Sequence, residues 1–250
     1  MKRGKNTSGH NKRGHNKTVI KSVVSFWEQE YADHDTLAMS TTPSGDLQKF
    51  TRWIKREFKN NFPFNLGQRV TDIGCGNGRN LNFIAEQYGL RGIGFDISEQ
   101  AVSLARKNKG NANVEYSVHS LAKFPYPVES ETQTLVLDMM ASHILNTEER
   151  KAMRAEVYRI MKPDGWLFYK TFVLDGDLNA KRMIKQYPGP EPNSYVHPQI
   201  GHVEYMLDEE DIIAELEAAG FYVHKVYKSH KHLVNGRAAK RRSVSIYAQK

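Results

Sequence analysis

From residue 70 to residue 172 the chain alternates short apolar runs with amphipathic stretches of helical period. The runs are 70–73, 92–96, 113–117, 134–139 and 165–172, and the helical stretches are 79–88, 98–108 and 147–161. Buried runs separated by helical patterns predict strands joined by crossover helices, and so a parallel sheet covered on both faces. Asn146-Thr147-Glu148-Glu149 opens its helix with a cap residue and early acids. Asp208 through Asp211 do the same for a helix over 208–219, which stops at Gly220. Two more strands follow at 221–228 and 243–249, the last with Val244, Ile246 and Ala248 alternating. Upstream, Val23, Val24, Phe26, Trp27 and Tyr31 fall near helical spacing within 19–31, and Leu47, Phe50, Ile54 and Phe58 line one face of a helix ending at Lys59. The predicted fold class is α/β, with seven strands and a parallel sheet carrying helices on both faces.

The first strand runs into Asp72-Ile73-Gly74-Cys75-Gly76-Asn77-Gly78-Arg79, three alternate glycines followed by a helical pattern. Glycine is needed where backbone turns sharply and a ligand must approach without a Cβ in the way. The helix behind such a turn offers unpaired N–H groups and a positive dipole end. Asp96 closes the second strand 18 residues after Gly78, where doubly wound folds place an acid that accepts ribose hydroxyls. The spacing is Gly-x-Gly-x-Gly, and Arg79 stands where a dinucleotide fingerprint would place its third glycine, which weakens an NAD or FAD reading.

This block resembles motif I of the class I S-adenosylmethionine-dependent methyltransferases, in particular the type 11 domain group, over roughly residues 65–175. Arg159 through Leu167 resemble the family's helix, turn and fifth strand, with Asp164 in place of the first turn glycine. The resemblance implies a doubly wound, mostly parallel seven-stranded sheet with an antiparallel last strand, and S-adenosyl-L-methionine as cofactor. It places Asp72, Gly74, Gly76 and Gly78 at the methionine end and Asp96 at the ribose. Ser120 and Leu121 fall beside the adenine, and Asp138 and Trp27 complete the set. Many members carry an acid where Ser120 stands, and a hydroxyl can still accept one hydrogen bond there. Phe26-Trp27-Glu28-x-x-Tyr31 is similar to the aromatic lid of related enzymes, although packing of these rings on the sheet explains them equally well. The implied organisation is a basic arm over 1–18, a helical lid over 19–64, and a methyltransferase domain over 65–250.

The segment 173–207 lacks a clear period and holds Pro188, Pro190, Pro192 and Pro198, so it reads as a long loop. It leaves the carboxyl end of a strand, which is where open parallel sheets bind ligands, and so should border the active site. His143, His197 and His202 are candidate general bases, and Tyr195 and Tyr169 could orient an acceptor. Each also has a bland reading as a solvated or helix-starting residue. No Cys, Asp or Glu stands at ligand spacing from the histidines, so no metal is expected.

Charge is distributed unevenly. Residues 1–22 carry seven Lys or Arg and no acid, and residues 225–250 carry eight and no acid, while the whole chain nets +8. The body between them is therefore acidic, and the ends are candidates for contact with a polyanion. The arm, rich in Gly, Asn, Lys and His, has too few apolar groups to fold alone. If the last two strands are antiparallel, the basic stretch Lys228–Arg242 projects beside the cofactor cleft. Two acceptors remain open: RNA or a ribosome-associated target reached through the basic ends, to which the reading leans slightly, or a small anionic metabolite gripped by Arg237 to Arg242. A third class is a binding module that retains the cofactor without catalysis. The sole cysteine, Cys75, permits no internal disulfide, no run approaches a membrane span, and the basic start lacks a secretory apolar segment. A cytoplasmic monomer is the expectation.

Overall fold

The computed structural model describes residues 23–33, 40–229, 232–234, 237–239 and 241–250. The basic arm over 1–18 and most of the tip of the Lys228–Arg242 stretch lie outside the described residues. Seven strands form the main sheet: β1 (Arg69–Ile73), β2 (Arg91–Asp96), β3 (Val114–Val118), β4 (Gln133–Met139), β5 (Met161–Phe172), β8 (Tyr222–Ser229) and β11 (Ser243–Gln249). Their order is β3-β2-β1-β4-β5-β11-β8. All neighbours from β3 to β5 are parallel, and β11 runs antiparallel to both β5 and β8, so one strand of the seven is reversed. This is the sheet of a Rossmann-like methyltransferase fold, with its switch point where β1 meets β4.

Helices α3 (Arg79–Tyr88), α4 (Glu99–Asn108), α5 (Thr147–Ile160) and α7 (Glu209–Ala218) make the crossovers. The start of α5 is a reciprocal capping box: Asn146 accepts from Glu149 N, and Glu149 accepts from Asn146 N. Between α5 and α7, Arg150 and Arg154 share the Glu215 carboxylate. Two cores follow from this layering. One face of the sheet packs Leu81, Ile84 and Val102, and the other packs Val157, Ile160, Ile212 and Leu216.

Helix α2 (Gly45–Glu57) departs from the lid expected over 19–64. Leu47, Phe50 and Ile54 are fully buried, and Phe50 stacks on Phe168 at 5.1 Å and meets Tyr247 at 4.8 Å. Its apolar stripe belongs to the sheet, which leaves α1 (Val23–Asp33) as the only described helix of that segment standing at the site. Strand β5 begins earlier than the apolar run suggests, because Met161 already pairs with Gln133; residues 162–165, with Asp164 at φ 62°, then bulge out before pairing resumes at Trp166.

The expected loop over 173–207 contains helix α6 (Leu178–Gln186) and a small hairpin of β6 (Ser194–Val196) and β7 (Val203–Tyr205). Leu174, Ala180, Met183, Tyr195 and Met206 form a satellite core of their own, too widely spaced in sequence to read as a period. Asp177 caps α6 by accepting from Ala180 N at 2.9 Å. The short strands β9 (His232–Val234) and β10 (Arg237–Ala239) pair as a hairpin between β8 and β11. Ser243 is in register with both Phe172 and Ser229, so that hairpin leaves from the carboxyl edge of the sheet.

Candidate active site

The glycine turn is the first part of the site. Gly74, Gly76 and Gly78 take φ of 72°, 53° and 79°, where an L side chain is strained. Gly74 N and Cys75 N both donate to Phe95 O at 2.8 Å, tying the turn to β2. A Cβ on Gly74 would strike Ala141, one on Gly76 the Tyr31 hydroxyl, and one on Gly78 the Tyr116 ring. The bare backbone is thus used for close approach at all three positions. Asp96 holds the turn from below: one carboxylate oxygen accepts from Gly76 N at 2.9 Å and the other from Ser98 N at 3.0 Å.

Three acids end adjacent strands here: Asp72 on β1, Asp96 on β2 and Asp138 on β4. Burial, reinforced by Asp96 and Asp138, pushes Asp72 up to about 8. Burial pushes Asp138 up to about 6 and raises Asp96 as well. One carboxylate oxygen of Asp72 and one of Asp138 are buried without a hydrogen-bond partner. Buried carboxylates of this kind are costly unless something positive meets them. S-adenosylmethionine supplies two positive groups, an ammonium and a sulfonium. The residues present therefore fit that cofactor: Asp72 and the glycine turn would hold its methionine end, and Asp96 its ribose.

Ser120 and Leu121 follow β3. His119 N donates to Asp96 O at 2.8 Å, which brings this turn alongside the ribose acid. Ser120 Oγ accepts from Ala122 N at 3.3 Å, and Leu121 is buried. Helix α1 covers the other side. Glu28 accepts from Glu99 N at 2.5 Å and Gln100 N at 3.2 Å at the start of α4. Tyr31, at the next turn of α1, lies over Gly76, and its hydroxyl is held protonated by burial and by Asp96. Trp27 lies between the two sides: its ring is 6.0 Å from the Tyr31 ring and 6.2 Å from the His202 ring, and Phe26 lies 5.6 Å from His202. The α1 residue that touches the glycine turn is Tyr31, with Trp27 bridging its ring and that of His202.

The β6–β7 hairpin and the turn after β4 bring the four expected catalytic residues around one carboxylate, Glu204. The Tyr195 hydroxyl donates to Glu204 at 2.5 Å, and Arg241 donates to it at 3.1 Å. His143, His197 and Arg241 lie close enough, with Tyr195, to hold Glu204 down at about 2 despite its burial. The four differ in what they can do. Tyr195 is fully buried with its proton committed to Glu204, so it braces the site instead of orienting an acceptor. His197 Nδ1 accepts from Gln199 N at 3.3 Å and Ile200 N at 3.2 Å, which fixes the proton on Nε2 and leaves no lone pair for a base. His143 and His202 remain. Each has a buried Nδ1 without a partner, and burial keeps both imidazoles neutral, His202 down at about 4. Tyr169 is buried within the sheet, with Arg154 over its ring at 5.8 Å, away from this cluster.

The basic grip expected from the Lys228–Arg242 stretch is spent internally where it is described. Arg241 lies 3.6 Å over the Phe172 ring and pairs with Glu204. Arg242 N donates to Asp177 at 2.9 Å and its guanidinium donates to Asp175 O at 3.3 Å. Lys228 pairs with Glu209 at 2.7 Å. Glu204 and Asp177 were not singled out from sequence, and Tyr31 was read only as part of the aromatic lid. Alternation of Tyr195 and Glu204 with their neighbours along two short strands was the available signal. Among the described residues no group of His, Cys, Asp and Glu is arranged to hold a metal ion, and no helix is long and apolar enough to cross a membrane.

Comparison with known proteins agrees with this geometry. A family model described as a methyltransferase domain matches residues 70–165. The chain is 28% identical over 112 residues to phosphoethanolamine N-methyltransferase 3 of Arabidopsis thaliana, covering 44% of this chain and 22% of that one. It is 25% identical over 157 residues to the ubiquinone biosynthesis O-methyltransferase of Bordetella avium, covering 62% of each. It spans about half the length, 51%, of a similar protein from Haemophilus influenzae. A solved S-adenosylmethionine-dependent methyltransferase of Methanosarcina mazei superposes with a TM-score of 0.63 at 21% identity, over 74% of this chain and 92% of that one. The matched segment, residues 70–165, is the one that carries the glycine turn, Asp96 and Asp138, and it is similar to a methyltransferase domain.

Proposed function

We propose that the chain transfers the methyl group of S-adenosylmethionine to an N–H or O–H group of a small, uncharged, planar acceptor. The observation that carries this is the convergence of two neutral imidazoles, His143 and His202, with Phe26, Trp27 and Phe172 beneath helix α1. Methyl transfer from a sulfonium is an in-line displacement, so holding the nucleophile against the methyl carbon supplies most of the gain, about 7–11 kcal/mol. A protic acceptor must also lose its proton, and a positioned base contributes about 100- to 10,000-fold. His202 or His143 takes that proton; His197 donates a hydrogen bond, and Tyr195 with Arg241 keeps Glu204 ionised between them.

The two relatives named above, by their names, act on phosphoethanolamine and on ubiquinone precursors. The cluster favours an acceptor of the second kind, because the described cations beside it, Arg241 and Arg242, are already paired with acids or carbonyls. Among the described residues Arg241 is neutralised by Glu204, which leaves a phosphate only the Arg242 guanidinium, itself engaged by the Asp175 carbonyl. The same pairing weakens the case for an RNA acceptor docked by Arg241 and Arg242.

The test uses methyl-labelled cofactor with a catechol, a ring N–H heterocycle and phosphoethanolamine. Label in either of the first two, and a fall in kcat with unchanged cofactor affinity in His202→Gln or His143→Gln, is the expected result. Label in phosphoethanolamine alone would overturn the acceptor class, and cofactor binding without transfer to any protic acceptor would leave a binding module.

A further inference from the structure

A basic face on α2 and an aromatic row on β8 adjoin on the side of the sheet away from α5 and α7, and neither serves the cleft. The exposed residues of α2 and its following turn include Lys49, Arg52, Lys55, Arg56 and Lys59, at steps of three and four that put them in one stripe. Asp46 neutralises Lys49 at 3.0 Å and Glu57 neutralises Arg56 at 2.8 Å. Among the described residues no carboxylate pairs with Arg52, Lys55 or Lys59. Solvated helix faces ordinarily mix signs, so three unpaired cations in register form a local field of one sign.

Edge strand β8 supplies the second feature. Tyr222 is 67% exposed and Tyr227 41% exposed, large rings left at the surface of an unpaired sheet edge. They belong to the α2 side: Tyr227 packs on Tyr247 at 5.4 Å, and Tyr222 meets His224 at 4.6 Å, which in turn faces Trp53 of α2. Lys225 lies between the two elements, 5.0 Å from the Tyr227 ring and 5.9 Å from the Trp53 ring. Arg52 reaches the same place, close enough to act on the Tyr247 hydroxyl.

We propose that this α2–β8 face binds single-stranded RNA, with Arg52, Lys55 and Lys59 on the phosphates and Tyr222 and Tyr227 stacking unpaired bases. A cationic track beside exposed rings is the arrangement that holds a single strand without reading its sequence. RNA is the nucleic acid whose bases are commonly presented unpaired, in loops and ends. A duplex keeps its bases stacked inside and would use the cations alone. The strand that carries the rings ends at Ser229, in register with Ser243 and Phe172 at the edge of the candidate active site. The bound strand would therefore lie on the enzyme's flank, whatever the acceptor is, so this inference does not rest on the acceptor class.

The experiment is fluorescence anisotropy on the full chain with a labelled oligouridylate and with its duplex, across a salt series. Cofactor-product affinity, measured on the same preparations, reports that each variant is folded and separates this proposal from the methyltransferase reading. Arg52→Glu/Lys55→Glu/Lys59→Glu is expected to weaken single-strand binding at least tenfold and to lower the log–log salt slope by about 2, at about 0.7 per phosphate. Tyr222→Ser/Tyr227→Ser is expected to weaken single-strand binding about tenfold while leaving duplex binding unchanged. Wild-type affinity in the charge-reversed variant, or equal loss of single strand and duplex in the tyrosine variant, overturns the proposal.

Discussion

Arg241 and Glu204 are mutually dependent charges: the guanidinium and carboxylate meet at 3.1 Å with side chains only 14% and 4% exposed. Glu204 is then free to accept the Tyr195 proton, which locks the β6–β7 hairpin over the cleft. Removing one member of such a pair leaves a buried charge unmatched and costs about 3–5 kcal/mol, whereas removing both costs far less. Arg241→Met is therefore expected to destabilise the chain more than Arg241→Met/Glu204→Gln. Urea unfolding of the two single variants and the double variant measures the coupling. Strict additivity would show that the pair contributes only through its separate contacts.

Asp72 places stability and binding in opposition. Its folded pKa is raised from 3.8 to about 8, so the folded chain holds a proton that the unfolded chain has lost. The contribution is fully present below 3.8 and is lost as pH rises through about 8. Asp72→Asn, which cannot ionise, is expected to raise the cofactor-free melting temperature at pH 8.5 and to leave it nearly unchanged at pH 3.5. The same change should abolish measurable cofactor binding, because it removes the charge that meets the ammonium and sulfonium. Scans at both pH values, with calorimetric titration of the product form of the cofactor, check the two halves together.

The same acids make cofactor binding release protons. Asp72 and Asp138 titrate at about 8 and about 6 in the free chain, and a cation beside them favours their ionised forms. Affinity for S-adenosylmethionine is expected to rise between pH 6 and pH 8. Titrations in buffers of different ionisation enthalpy should show net proton release near pH 7, and Asp138→Asn should reduce it. A pH-independent affinity would mean that neither acid meets the cofactor's charges.

Much of the fold was legible because its signals are local. The turn Gly74 to Gly78, the capping box at Asn146, the acidic start of α7 (where Asp208 takes the N-cap position without a side-chain capping bond) and the apolar runs each depend on a handful of adjacent residues. The last strand followed from the alternation of Val244, Ile246 and Ala248; its antiparallel direction came from the resemblance, and its placement between β5 and β8 was settled only by tertiary pairing. What escaped depends on distant partners. Helix α2 reads as amphipathic in any setting, and only Phe50 on Phe168 and Tyr247 shows which surface it covers. His143, His197 and His202 were visible as candidates, but the assembly around Glu204 was not, since Glu204 meets Tyr195 across a hairpin and Arg241 from the end of another. Tyr31 was read as part of a lid, and the reason that it matters lies 45 residues away, at Gly76.

His202 gives the last prediction, an acid limb that belongs to one side chain. Burial lowers it from 6.5 to about 4, so the unfolded chain takes up a proton that the folded chain refuses. Stability from this group is fully present above pH 6.5 and is lost as pH falls toward about 4. Between pH 7 and pH 4.5 the expected loss is on the order of 2 kcal/mol. Protonation would also set a charge against Phe26 and Trp27, loosening α1 where it rests on the hairpin. His202→Gln keeps a polar side chain of similar reach without the titration. Its urea midpoint should fall less steeply over this interval than that of the unaltered chain, and proteolysis within α1 at pH 4.5 should slow. Parallel pH profiles for the two proteins would assign the acid limb to other groups and would separate α1 from the titration of this imidazole.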